Sequence, residues 1–224
     1  VFERPESPDF QYQPGQYLTI EAEVNDSKLR RAFSLSSAPG LDDHLSVTIK
    51  SISDGRVSNH LRQHLKAGDT LPVFPPLGNF TVQPDPNRAL HYILLGGGSG
   101  ITPLYSILRS VLHQEPKSRV TLLYCNRSEE QIIFKDALNA LQDEFGERLS
   151  VVHILSRAAA NWQGPQGRLE GALAEELIFT AQQNSPLPAQ YYLCGPTGMM
   201  ESLLGILDKL NVPEGQIHRE YYSA

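Results

Sequence analysis

Cysteine is scarce in this sequence: Cys125 and Cys194 are the only two among 224 residues. Two thiols cannot build the disulfide framework of a small secreted domain, and a reducing compartment, the cytoplasm, is the expectation. They also exclude a self-contained plant-type 2Fe–2S cluster, which takes about four thiolates. No CxxC spacing offers a metal site. Positive charge is in short supply as well. The net charge is −6, and the 19 Lys and Arg are scattered, so no basic footprint for nucleic acid exists. No apolar run approaches the roughly 18 residues of a membrane span, and no segment resembles a signal peptide, so a soluble protein is expected. There is no initiator Met. The chain opens on VFERPESPDFQYQPGQYLTI as though inside a strand, so a missing upstream segment is expected.

Apolar residues make up 40% of the chain, enough for two modest cores. The first third reads as β. Leu18, Ile20, Ala22 and Val24 alternate with polar residues in QYLTIEAEV, and Leu45, Val47 and Ile49 do so in HLSVTIK. Turn signals punctuate these runs: Pro14-Gly15, Pro39-Gly40, Asp54-Gly55, Gly68-Asp69 and the Pro75-Pro76-Leu77-Gly78 loop. An antiparallel barrel or sandwich over residues 1–84 is the natural inference. QPDPNRA, residues 83–89, separates two periodicities and reads as a linker. From there, over 85–224, apolar strands alternate with helical patterns. HYILLG precedes a helix over 102–113, RVTLLYC one from about 132 to 145, LSVVHIL one over 169–180, and QYYLCG one over 198–210, before QIHREYY closes the chain. Five strands alternating with four helices predict a doubly wound parallel α/β sheet.

Two stretches carry chemistry. In GGSGITP, Gly97, Gly98 and Gly100 follow an apolar strand and lead into a helix whose first turn holds Thr102 and Pro103. Bare backbone there lets a pyrophosphate approach a helix N-terminus, and Pro loses no hydrogen bond in a first turn. A tight structural turn would carry the same glycines. In RRAFSLSS, Arg31 and Phe33 share a strand face with Ser34 beside them: a cation, a flat ring and a hydroxyl. A surface Arg beside a core Phe would look the same.

These stretches do not stand alone. RAFS, GRVSN at 55–59, PPLGNF, GGSGITP and CGPTGMM at 194–200 occur in an order and spacing that resemble the ferredoxin reductase-like flavoenzyme family, and within it the reductases that serve oxygenases. The resemblance covers nearly the whole chain. It implies an FAD-dependent oxidoreductase that passes electrons from NADPH through FAD to a ferredoxin-type 2Fe–2S domain or partner, and through that to an oxygenase.

The resemblance also implies roles. Arg31 would pair with the FAD pyrophosphate, Phe33 would pack on the isoalloxazine in place of the usual Tyr, and Ser34 would bond near flavin N5. Gly55, Arg56, Val57 and Ser58 would offer amides to the same pyrophosphate. Gly97, Gly98, Gly100 and Thr102 would receive the nicotinamide dinucleotide. Cys194, Gly195 and Pro196 would end the fourth strand of the second domain beside the nicotinamide, although a small buried Cys is also a common core residue. Glu220 would stabilise charge at the reaction centre and Tyr222 would lie over the flavin, while an ordinary strand tyrosine remains an alternative. No Asp or Glu ends strand two of that sheet, where Arg127 follows Asn126. Ser156 and Arg157 end the next strand and Arg168 follows, so a 2′-phosphate, and hence NADPH, is favoured over NADH, with Glu129 and Glu130 as opposing charges. Cys125 reads as structural. His60 and His64 share a helix face but lack a third ligand. A non-catalytic nucleotide-sensing module with the same fold is the competing reading.

Overall fold

The computed structural model describes residues 1–51 and 54–222. Three antiparallel strands, β1 (Tyr17–Val24), β2 (Ser27–Ser34) and β3 (Val73–Leu77), form a sheet in the order β2-β1-β3. The alternation in β1 is real: Leu18, Ile20, Ala22 and Val24 are buried and the residues between them are not. Asn25 and Asp26, both with positive φ, make the two-residue turn into β2. The expected strand at 44–50 is not a regular ladder. Among the described residues Leu45 and Val47 make isolated bridges, to Phe2 and Leu35, the latter held by the Ser36 amide on the Ser46 carbonyl at 2.8 Å. The Pro75-Pro76 stretch, expected as a loop, instead completes β3. Two prolines are tolerated there because, among the described residues, β3 pairs on one side only, with β1. Helix α1 (Arg56–His64) covers the sheet through Val57 and Leu61, which cluster with Ile20, Ala22, Val24 and the half-buried Phe33.

The second sheet is parallel, in the order β6-β5-β4-β7-β8: β4 (His91–Gly97), β5 (Arg119–Asn126), β6 (Leu149–Leu155), β7 (Ala189–Gly195) and β8 (Ile217–Tyr221). Helices α2 (Ile101–Gln114) and α3 (Lys135–Phe145) pack on one face, and α4 (Gly171–Gln183) and α5 (Thr197–Lys209) on the other. The five strands and four helices are those expected, with shifted starts. Helix α3 begins at Lys135, not near 132, because a 3₁₀ turn over Glu129–Gln131 precedes it and Phe134 is left-handed at φ 62°. Helix α4 begins at Gly171, where φ is +58°. Strand order reverses at β4, with β5 on one side and β7 on the other, and the crevice of an open α/β sheet forms at such a point.

Helix α2 joins the two halves. Arg109 holds Asp42 through two bonds of 2.6 and 2.8 Å, and the Ser106 hydroxyl donates to the Ser37 carbonyl at 2.6 Å. At the linker, Glu115 is fully buried and accepts from Arg88, Tyr92, Ser118 and the Asp85 amide. Among the described residues no helix is long and apolar enough to cross a membrane.

Candidate active site

Three distant segments meet at the C-terminal edge of β4 and β7. The Tyr222 hydroxyl donates to Ser34 Oγ at 2.8 Å, and Thr102 Oγ1 lies 2.7 Å from the same phenol oxygen. The single Thr102 proton has two claimants, that phenol and the Ser99 carbonyl at 3.0 Å. Burial, first of all, then the Cys194 thiol, push the Tyr222 phenol well above its ordinary range. Cys194, fully buried, pairs with Glu220 in the β7–β8 register and packs in the cluster against which Tyr222 rests. Burial, helped by the Glu220 charge, drives its thiol up too, so Cys194 is a neutral thiol and no thiolate nucleophile. Burial likewise raises the Glu220 carboxyl. Ser34, Thr102, Cys194, Glu220 and Tyr222 thus form one half-closed polar nest, while Tyr221 points outward.

The glycine turn explains its own composition. A Cβ on Gly100 would stand 2.1 Å from the Cys194 carbonyl oxygen, so the β4 and β7 turns can approach only with Gly there. Gly97 and Gly195 face each other across the same contact, with Pro196 capping α5. Gly98, at φ +54°, is different: its Cβ would meet only Lys50 Nζ, at 3.6 Å. Lys50 is half-buried, and burial and the nearby Arg127 lower its pKa. It has no carboxylate partner among the described residues. Two cations beside bare backbone could hold an anion. The sequence reading missed Lys50, although Ser46, Thr48 and Lys50 alternate toward one side of the 44–50 segment.

Arg157 stands next to Arg127, its amide bonded to the Arg127 carbonyl at 2.7 Å, and the Ser156 amide donates to the Asn126 carbonyl. Neither arginine has a carboxylate partner among the described residues. Arg168 does, reaching Glu170 at 3.8 Å. Glu129 is neutralised by Lys135 at 2.5 Å, which removes one of the two acids set against a 2′-phosphate. In the first domain, Phe33 sits with Val57 in one cluster, which brings β2 to the start of α1. Gly55 is the N-cap and the Ser58 hydroxyl bonds back to its carbonyl. Arg31 and Arg56 are exposed and make no ion pair among the described residues. His60 and His64 stack on each other at 4.5 Å, away from the nest. Cys125 is half-buried in the opposite core.

Residues 1–82 match the model of the oxidoreductase FAD-binding domain and residues 94–204 that of the oxidoreductase NAD-binding domain. The chain belongs to the ferredoxin reductase-like flavoenzymes. Among its curated relatives, a component of 1,2-phenylacetyl-CoA epoxidase from Escherichia coli is 35% identical over 96% of this flavoenzyme chain and 60% of its own. The ferredoxin reductase component of 3-ketosteroid-9-alpha-monooxygenase from Rhodococcus rhodochrous is 36% identical over 96% and 57%. The flavoenzyme chain therefore spans about three-fifths of the length of these relatives. The FAD/NAD-binding domain of nitric oxide dioxygenase from Vibrio cholerae superposes with a TM-score of 0.79 at 28% identity, covering 96% of this chain and 86% of that one.

Proposed function

We propose that this chain is the flavin and nicotinamide module of an oxygenase reductase, taking a hydride from NADPH and delivering electrons through FAD to a ferredoxin-type 2Fe–2S domain or partner. The observation that carries the reading is the Ser34–Tyr222–Thr102 contact, which joins the end of the first sheet to the glycine turn of the second. Bound at that junction, FAD supplies the chemistry of accepting a hydride and releasing electrons singly.

The residues present fit such a group. Arg31, Arg56 and the amides at the start of α1 offer a pyrophosphate positive charge, and Phe33 offers a flat apolar contact. Ser34 offers a hydroxyl at the strand end, and Tyr222 shields it until a nicotinamide takes its place. Gly97, Gly98, Gly100, Lys50 and Arg127 receive the second dinucleotide. Cys194, small and neutral, shapes the approach of the ring without adding charge, and Glu220 balances charge that develops there. Arg127, Ser156 and Arg157 favour a 2′-phosphate, hence NADPH over NADH. The 2Fe–2S centre of the proposal, a plant-type one with four thiolate ligands, lies outside this chain, since two cysteines cannot supply them.

The purified chain, loaded with FAD, should be yellow, bleach on adding NADPH and reduce ferricyanide or a dye. It should drive an oxygenase only when a ferredoxin-type domain is attached or added. A flavin-loaded protein that oxidises no NADPH would overturn the catalytic reading in favour of a sensing module.

A further inference from the structure

Beside the glycine turn, on the neighbouring strand β5, the Tyr124 hydroxyl donates to the Gly98 carbonyl at 2.9 Å. Gly98 is the turn residue with left-handed φ, and its carbonyl also accepts from the Ile101 amide. In a planar trans peptide the N–H points opposite to the C=O. Anchoring the Gly98 carbonyl toward β5 therefore aims the Ser99 N–H away from the sheet, at the head of a helix where amides lack an intrahelical acceptor. Gly98 itself places no steric limit on this peptide, since glycine populates both signs of φ. Tyr124 supplies the restraint that the glycine lacks. Its ring is fully buried, stands 5.9 Å from the His153 ring, and burial pushes its phenol up to about 12, so it stays protonated and able to donate.

We infer that Tyr124 is a positioning residue of the dinucleotide site: its phenol pins the Gly98 carbonyl and so holds the turn amides in the orientation that receives a pyrophosphate. The inference rests on the dinucleotide reading of Gly97–Thr102 made above. It concerns the preorganisation of the turn and adds no contact to the ligand.

Tyr124→Phe keeps the ring and deletes the hydroxyl. In the full FAD-loaded chain it should weaken NADP+ and NAD+ about two- to tenfold, the worth of one neutral hydrogen bond. Binding of 2′-AMP, which carries no pyrophosphate, should be unchanged, and so should FAD content. Amide hydrogen exchange of the dinucleotide-free protein should rise at residues 98–101 and stay the same along β4. Unaltered exchange in Tyr124→Phe, or an equal loss for NADP+ and 2′-AMP, would overturn the pin. If wild type binds no dinucleotide, the function proposed above falls, and the exchange data alone then decide the pin.

Discussion

Replacing Arg109 by Met should loosen the seam between the two domains. The guanidinium grips both Asp42 oxygens, at 2.6 and 2.8 Å, with side-chain exposures of 20% for Arg109 and 28% for Asp42. Fully exposed pairs contribute about 0.2–1 kcal/mol, and removing one partner of a fully buried pair costs about 3–5 kcal/mol. A bidentate pair that is mostly but not wholly covered falls between these limits, at about 2 kcal/mol. At this chain length that corresponds to a drop in Tm of roughly 4–8 °C. A double-mutant cycle with Asp42→Asn, followed by calorimetry of the FAD-loaded protein, isolates the pair and should give a coupling of about 1–2 kcal/mol. The pH dependence has a definite sign. Burial alone would raise the Asp42 carboxyl, but hydrogen bonds from Arg109 and the Ala38 amide, with the Arg109 charge, outweigh it and hold the pKa below its ordinary 3.8. A group depressed in the folded state contributes fully above its unfolded pKa and loses that contribution as pH falls through the folded one. The Tm gap between wild type and Arg109→Met should therefore be constant near neutrality and close only below about pH 4. Coupling under about 0.5 kcal/mol at pH 7, or a gap that closes between pH 5 and 7, would refute the reasoning.

Arg31→Ala should weaken FAD by roughly 1.5–3 kcal/mol, the worth of a hydrogen bond to a charged group, and release it on desalting; retained stoichiometric FAD would remove Arg31 from the site. Cys194→Ala should slow flavin reduction by NADPH in stopped flow more than it weakens dinucleotide binding, and an unchanged rate would return Cys194 to the core. Because that thiol is buried and its pKa raised, alkylation by iodoacetamide near neutral pH should be far slower than for a free thiol. Arg157→Ala should lower kcat/KM for NADPH while leaving NADH nearly untouched, whereas an equal loss for both would mean that Arg157 acts through the fold.

Much of the fold was legible because it follows from local pattern. Period-two alternation in QYLTIEAEV marks a half-buried strand whatever lies above it, and apolar runs followed by helical patterns compel a parallel sheet with helices on both faces. The boundaries that failed were decided by neighbours. Residues 44–50 have strand alternation but meet their neighbours through single bridges at Leu45 and Val47, and α3 starts late because Phe134 is left-handed, its ring stacked on Tyr105 at 4.2 Å.

For the site, the sequence by itself determined the parts that need a special backbone or a motif: the glycine turn, the RAFS strand end and the CGP strand end. Only the tertiary structure decided which side chains converge on them. That Gly100 answers to the Cys194 carbonyl, and that Lys50 and Tyr124 flank Gly98, are contacts between residues far apart in the chain. Local periodicity carries no record of such pairs. They exist because the β4 switch point and the α2 seam bring separate strand ends within a few ångströms of one another.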